Sequence, residues 1–264
     1  MLNTAWRRLF SGLAFALLFS TTGVANGSHT LVRDGVAQAS IVASIGSSPS
    51  VNLAARELQH FLELMTGTRF VITDRPGIAG VRIAMNGVKP GSGMWPEDVE
   101  GLGLKRYEYL IRFSDAGITL LGRDAVTSSG SEIDYESATG GTGAMEKILI
   151  PGMFDDQGTL RATYDFLERF CGVRFYGPGS QSVVVPETDT LVVQGADVRR
   201  EPSIKHISGS LTWRWPLMNG QYGNPPEDAI RLYERRMRIG GIPWYTSHTL
   251  HQYPTRFPRV EHPE

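Results

Sequence analysis

The stretch GTLRATYDFLERFCGVRFYGPG, residues 158–179, carries the strongest structural pattern in the chain. Its apolar side chains recur at three- and four-residue spacing: Leu160, Tyr164, Leu167 and Cys171. This spacing predicts an amphipathic helix over residues 156–171, with Gly172 as its terminator. Residues 173–176 then read as a strand that runs into a Pro-Gly turn. The stretch therefore predicts a helix followed at once by a strand.

A second helix is predicted upstream, over about residues 52–65. Its apolar positions have the same spacing: Leu53, Ala54, Leu58, Phe61, Leu62 and Met65. Ser50 or Asn52 is expected to cap this helix, and Gly67 is expected to end it. Glu57 is assigned to the opposite, polar face.

About seven strands alternate with these two helices. The longest pair covers residues 107–113 and 118–121, and Ser-Asp-Ala-Gly at residues 114–117 has the composition of a hairpin turn. The predicted fold class is therefore α+β, a mixed β-sheet with both helices packed on one face.

Composition and charge exclude several classes of function. The 264 residues have a net charge of −1, so no bulk positive field attracts nucleic acid or an anionic membrane surface. The single cysteine, Cys171, cannot form an internal disulfide, and no zinc-ribbon or thioredoxin-like spacing exists. Cys171 is interpreted as a small buried hydrophobic residue. No cofactor and no metal are predicted.

The amino terminus has the pattern of an export signal. Arg7 and Arg8 precede an apolar run over residues 9–19, and small residues lead to Ala25. We expect residues 1–25 to be a signal peptide and the protein to be secreted or periplasmic, with no membrane association after cleavage. An uncleaved anchor or a buried helix remains the alternative.

Residues 124–145 are rich in Ser, Thr and Gly. The segment lacks the GxxxxGK[ST] pattern of a phosphate-binding loop, and it is predicted to be a flexible surface insertion. The character of the chain changes near Val198, where a domain boundary is predicted. A basic helix candidate follows over residues 226–238.

Two segments carry a resemblance to a known family. AARELQHFLELMTG, residues 54–67, and the stretch at residues 158–179 resemble the two helices of the amino-terminal accessory domain of family-67 α-glucuronidases and family-20 β-hexosaminidases. The likeness is greatest to bacterial secreted proteins that carry this domain before a barrel. It covers about residues 30–200, and it implies an accessory domain at residues 26–198.

The resemblance continues downstream. RREPSIKH, residues 199–206, is similar to the linker and first barrel strand of these proteins, and RRMRIGGIPWYTSHTLHQ, residues 235–252, to their first barrel helix and second strand. Residues 199–264 are thus expected to be the start of an incomplete TIM-type (β/α) barrel. The catalytic carboxylates of both families lie on later strands, so no residue here matches them. The insertion at residues 124–145 and the Ile207-Ser208 pair, where an arginine is common, depart from the family pattern.

The carboxylates themselves give weak candidates for catalysis. Glycoside hydrolysis needs two carboxyl groups that flank the scissile bond. Asp155 and Asp156 precede a helix and are predicted to cap it, while Asp165 and Glu168 are predicted to be solvated on the exposed side of that helix.

The resemblance supplies better candidates for substrate contact. His248 would stand at the carboxyl end of the second barrel strand, and Trp213 and Trp244 are aromatic residues of the kind that stack on sugars. These three are the predicted substrate-binding residues. A metal site at His248 and His251 is an alternative that lacks a partner glutamate. Arg235, Arg236 and Arg238 form a charge run that is expected to be solvated on an outer helix.

The predicted function is that of the amino-terminal portion of a secreted glycoside hydrolase that acts on a carbohydrate polymer, without the catalytic carboxylates. The alternative is a non-catalytic carbohydrate-binding or interaction module. The partner is an oligo- or polysaccharide in either case.

Overall fold

The computed structural model describes residues 27–44, 46, 48–75, 81–85, 102–207 and 225–241. The strands in this part of the chain are β1 (Gly27–Arg33), β2 (Val36–Ala37), β3 (Ala39–Val42), β4 (Ile72–Thr73), β5 (Val81–Met85), β6 (Tyr109–Ser114), β7 (Gly117–Gly122), β8 (Glu132–Asp134), β9 (Lys147–Leu149), β10 (Arg174–Phe175), β11 (Val183–Val184), β12 (Leu191–Gly195), β13 (Val198–Arg200), β14 (His206–Ile207) and β15 (Gly240–Gly241). The helices are α1 (Pro49–Thr66), α2 (Tyr135–Ala138), α3 (Gly158–Phe170) and α4 (Glu227–Arg236).

A six-stranded mixed sheet forms the centre, in the order β13-β6-β7-β5-β3-β4. β3 runs parallel to β4 and β5, and β5 runs parallel to β7. β6 and β7 form the predicted hairpin and pair antiparallel. Parallel neighbours need a crossover, and α1 provides it between β3 and β4. The predicted α+β class with a mixed sheet is confirmed.

α1 extends a turn further than its pattern predicts. Ser48, not Ser50 or Asn52, caps it, because Pro49 occupies the first turn and the Ser48 hydroxyl accepts a hydrogen bond from the Ser50 amide at 3.2 Å. The predicted stop at Gly67 is confirmed, since this residue adopts the left-handed conformation (φ 68°). Leu53, Leu58 and the other apolar positions of the stripe are buried.

α3 packs against α1 and against β6 and β7, so both long helices lie on the same side of the sheet. The first turn of α3 touches β7 backbone to backbone. A Cβ atom on Gly122 would lie 2.4 Å from the Gly158 Cα, and one on Gly158 would lie 2.5 Å from the Gly122 Cα. Only glycine fits at both positions, and this close contact fixes the start of α3.

A small second sheet, in the order β12-β1-β2, joins the amino-terminal strand to the end of the domain. β1 pairs antiparallel with β12 and also contacts β3, β5 and β6. The ring of Phe113 packs edge-on against Phe170 and stacks with His29. Strands β1 and β12, which lie near opposite ends of the sheet region in sequence, are therefore held together.

The expectation of a flexible loop at residues 124–145 is wrong. This segment contains β8 and the single-turn helix α2, and β8 pairs antiparallel with β9. Tyr135 within it is fully buried, and Ser128 and Ser129 hydrogen bond to Asp155. The pattern missed these features because one buried aromatic ring and several side-chain hydrogen bonds order the segment, not a periodic apolar stripe.

The described chain after residue 199 packs on the same core. α4 contacts α2 and β8, and Leu232 and Tyr233 join the hydrophobic cluster of the sheet region. The helix predicted over residues 226–238 is confirmed as α4. β14 and β15 pair antiparallel, whereas barrel strands are parallel, so the predicted barrel start is not confirmed in the described residues. The boundary near Val198 stays a prediction.

Candidate functional site

The three predicted substrate-binding residues, Trp213, Trp244 and His248, lie outside the described residues, as does His251. Their roles therefore stay predictions. The structure does place the four carboxylates that the sequence singles out, and it also reveals a buried charged site that the sequence analysis missed.

Asp155 and Asp156 do not cap α3, contrary to the prediction. Asp155 accepts hydrogen bonds from Ser128, Ser129 and the Gly152 amide. Burial tends to raise the pKa of Asp155, but these hydrogen bonds hold the pKa below its ordinary value. Asp155 is therefore an ionised residue that orders the surrounding loop.

Asp156 forms ion pairs with Arg106 at 2.6 Å and with Arg123 at 2.9 Å. Asp124 caps the first turn of α3 instead, because its Oδ1 accepts a hydrogen bond from the Thr159 amide at 3.0 Å. A residue 35 positions earlier in the chain thus provides the cap that the sequence assigns to a neighbour.

Asp165 is buried, so the prediction that it is solvated is wrong. It pairs with Arg169 at 3.3 Å and lies 3.8 Å from Arg200. Glu168 is half-buried and pairs with Arg238. Both carboxylates therefore face arginines at the end of α3, and both are committed to ion pairs.

The most buried charged site joins α1 to α4. Glu57 is 0% exposed and Arg236 is 3% exposed, and their side chains form a two-pronged ion pair. Arg236 Nε donates to Glu57 Oε2 at 2.7 Å, and Arg236 Nη2 donates to Glu57 Oε1 at 2.9 Å. This geometry matches the planar fork of a guanidinium to the two oxygens of a carboxylate.

Aromatic residues complete this site, which we call the α1–α4 junction. Tyr135 of α2 donates its hydroxyl hydrogen to Glu57 Oε1 at 2.6 Å. Arg236 lies 4.9 Å from the ring centre of Phe61 and 5.5 Å from that of Phe175. Three helices and one strand thus meet around a single pair of charges that is almost entirely hidden from solvent.

Charge and burial set the ionisation of the junction. Burial alone would raise the pKa of Glu57, but Arg236 lowers it below the ordinary value. Burial alone would lower the pKa of Arg236, and Glu57 raises it. Burial together with the Glu57 charge raises the pKa of Tyr135 well above its usual range. At neutral pH the site therefore holds one carboxylate, one guanidinium and one neutral phenol.

His60 stands beside the junction. Burial lowers the pKa of His60 to about 4, and the positive charges of Arg236 and Arg56 add to that effect. His60 also lines a cleft of about 350 Å³ together with Phe61, Leu64, Glu136, Ser180 and Arg236. The imidazole is therefore neutral at pH 7 and lines a cleft that contains both apolar and polar side chains.

The sequence predicts that Arg235 and Arg236 are solvated on an outer helix, and this prediction is wrong, because both are buried. The sequence does contain a partial indication that Glu57 and Arg236 are buried. Glu57 lies four residues after Leu53 and four before Phe61, within the apolar stripe of α1, and Arg236 follows Leu232 and Tyr233 in the same way. Charged residues inside two apolar stripes indicate buried partners.

Neither a protein-family model nor a curated protein matches this chain. Within the described residues, no helix has both the length and the apolar composition needed to cross a bilayer. The described residues also hold no group of three side chains that could ligate a metal.

Proposed function

We propose that residues 26–198 act as a non-catalytic accessory domain of a secreted glycoside hydrolase, of the α-glucuronidase or β-hexosaminidase-like kind, and that the chain from residue 199 begins its (β/α) barrel. The observation that carries this proposal is the α1–α4 junction. Glu57 belongs to the sheet region and Arg236 to the following segment, and their ion pair is fully buried. A platform that holds a second domain in place needs such a fixed contact.

The state of the carboxylates supports a non-catalytic role. Glycoside hydrolysis requires two carboxyl groups that both reach one glycosidic bond, one of them protonated. Asp155 and Asp156 are tied to the loop before α3, while Asp165 and Glu168 are tied to arginines. Breaking any of these pairs to bind a sugar would leave a partially buried arginine or loop without its partner.

Two measurements test this proposal. The purified 264-residue chain should give no turnover of aryl glycosides or glucuronoxylan oligosaccharides. Turnover that Glu168→Gln or Asp165→Asn abolishes would contradict the proposal. In a bacterial host, the exported protein should begin at Asn26 by amino-terminal sequencing, and an intact Met1 terminus on the exported chain would contradict the export signal.

A carbohydrate-binding module is the second candidate, and the cleft beside His60 favours it. Leu64 and Phe61 form an apolar wall, while Glu136 and Ser180 offer hydrogen-bonding groups. Calorimetric titration of the full chain with polysaccharides separates the two functions. Saturable binding that Leu64→Arg removes would favour a binding module, and absence of heat with every polymer would favour the accessory role.

A further inference from the structure

A second cleft, of about 360 Å³, lies between α3 and the segment that runs from β13 to β14. Its charged lining residues come from three parts of the chain: Arg161, Asp165, Glu168, Arg200 and Arg238. We call it the α3 cleft. Its lining residues differ from the residues of the α1–α4 junction.

Arg161 is the unusual residue of the α3 cleft. It is only 6% exposed, yet none of the described carboxylates pairs with it, and its Nε atom has no hydrogen-bond partner. Its contacts are the ring of Tyr107, 4.8 Å from the guanidinium carbon, and the carbonyl of Arg238, 3.4 Å from Nη2. A buried charge without a counterion is costly, so the site is electrostatically incomplete.

The remaining charges of the cleft do not neutralise Arg161. Arg238 pairs with Glu168, and Arg200 lies 3.8 Å from Asp165, which also pairs with Arg169. Burial lowers the pKa of Arg161 to about 10, which leaves the guanidinium charged at pH 7. The cleft therefore presents one uncompensated cation beside two carboxylates that are already engaged.

The backbone around Arg161 is strained. Among the described residues, three that are not glycine have φ in the left-handed region, and two of them, Tyr107 (φ 66°) and Arg238 (φ 58°), are the residues that contact Arg161. For a bulky residue such as Tyr107 this conformation is uncommon, and strain of this kind concentrates at ligand sites. Two residues in this uncommon conformation therefore hold the Arg161 guanidinium in place.

We propose that the α3 cleft binds a small hydroxycarboxylate, a monoanion whose carboxylate lies on Arg161 and whose hydroxyl groups donate to Asp165 and Glu168. A planar carboxylate suits a guanidinium fork, and it supplies the counterion that Arg161 lacks. The two nearby carboxylates accept hydrogen bonds from hydroxyl groups but repel a dianion. Glycerate is a monoanion with one carboxylate and two hydroxyl groups, and it is small enough for the cleft.

The test uses the full 264-residue chain and three matched ligands: D-glycerate, glycerol and glycerol 3-phosphate. Titration calorimetry should show saturable one-to-one binding of glycerate, no saturable binding of glycerol, and weaker binding of the phosphate. Equal binding of glycerate and glycerol would overturn the role of Arg161. Tighter binding of the phosphate would overturn the assignment to a carboxylate, and so would absence of glycerate binding to the folded chain.

Variants locate the binding. Arg161→Gln should weaken glycerate binding about tenfold or more, because hydrogen bonds between charged groups are among the strongest that a protein makes. Arg200→Gln, at a more exposed position in the lining of the same cleft, should also weaken it, because it removes a second positive charge beside the bound anion. Arg231→Gln, on the surface of α4, is the matched control and should leave it unchanged. Glycerate binding that survives both cleft variants would overturn the proposal.

This inference does not rest on the accessory-domain proposal. A chain that binds glycerate and hydrolyses glycosides would retain the α3 cleft site and lose the proposed function. A chain that does neither would retain the proposed function and lose the site.

Discussion

Two buried arginines distinguish the two sites of this protein. Arg236 at the α1–α4 junction has a carboxylate and a phenol that is bonded to the same carboxylate. Arg161 in the α3 cleft has an aromatic ring and a carbonyl, but no counterion among the described residues. Their side chains are about equally hidden from solvent. The comparison shows that burial alone does not indicate the role of a charged residue.

The partner decides that role. A guanidinium that is paired with a buried carboxylate has its charge neutralised within the fold and needs no further anion. A buried guanidinium that lines a cleft and has no carboxylate partner destabilises the fold until an anion binds to it. The first arrangement connects elements of the structure and the second recognises a ligand. Substitutions at the two sites should therefore have different effects on stability.

The largest effect is expected at the junction. Arg236→Met leaves the Glu57 carboxylate buried without a counterion, and the free energy of unfolding should fall by about 3–5 kcal/mol. Urea unfolding monitored by circular dichroism measures this change in the free energy of unfolding. Arg231→Met, which breaks the exposed pair with Glu227 on the same helix, is the control and should cost less than about 1 kcal/mol.

The double variant Glu57→Leu/Arg236→Met sharpens the result. Replacing both charges by apolar groups removes the buried unpaired charge, so this variant should be more stable than Arg236→Met alone. A double variant that is less stable than the single variant would contradict the claim that the unpaired carboxylate causes the loss.

The next largest effect depends on pH, through His60. The pKa of His60 is about 4 in the folded protein and 6.5 in an unfolded chain, so the unfolded state binds more protons between these values. The free energy of unfolding should therefore fall as the pH falls from 6.5 to 4, by at most about 3 kcal/mol from this residue. His60→Asn should flatten the pH dependence of Tm in that window.

Glu57 gives an internal control for this pH dependence. Its pKa is lowered in the folded state, so its stabilising contribution is present above pH 4.5 and is lost only as the pH falls below that value. A Tm that falls equally between pH 6.5 and 4 in the wild type and in His60→Asn would contradict the assignment to His60.

A smaller effect is expected from the junction phenol. Tyr135→Phe removes the hydroxyl that donates to Glu57 Oε1 and keeps the ring in place. A hydrogen bond to a charged group contributes about 2 kcal/mol, and unfolding measurements should show a loss of that size. Tyr176→Phe, at an exposed ring, is the matched control. Equal losses in the two variants would count against a special role for Tyr135.

The smallest effect on stability is expected in the α3 cleft. Arg161→Met removes a buried cation that pairs with no carboxylate in the described part of the chain, and the loss of its contact with Tyr107 offsets part of the gain. The free energy of unfolding should change by less than about 1 kcal/mol. A loss as large as that of Arg236→Met would show that Arg161 has a structural partner and would remove the contrast between the two arginines.

Local sequence patterns predict the main helices and the central hairpin of this fold, but they do not predict the contacts between elements that are distant in sequence. The periodicity around Leu53 and Leu160 predicts α1 and α3, and the turn composition at residues 114–117 predicts the β6–β7 hairpin, because these features depend on neighbours in sequence. The partners of Glu57 and Thr159 lie 179 and 35 residues away. No local pattern specifies a contact at that separation.

The segment at residues 124–145 shows the same limit. Its Gly, Ser and Thr composition is typical of a loop, yet Tyr135 is buried and Ser129 bonds to Asp155. A lone aromatic residue in a polar segment can be buried only where other parts of the fold provide a pocket. For Tyr135 that pocket is formed by Glu57 and Arg56, which lie on another helix.

Hydrogen exchange by mass spectrometry tests whether the α1–α4 junction joins α4 to the sheet region. If it does, peptides from Glu227–Arg236 should exchange as slowly as peptides from Pro49–Thr66, and Arg236→Met should accelerate exchange in α4 more than in α3. Fast exchange throughout α4 in the wild-type chain, beside a protected α1, would contradict a fixed junction and would place α4 in a separate unit.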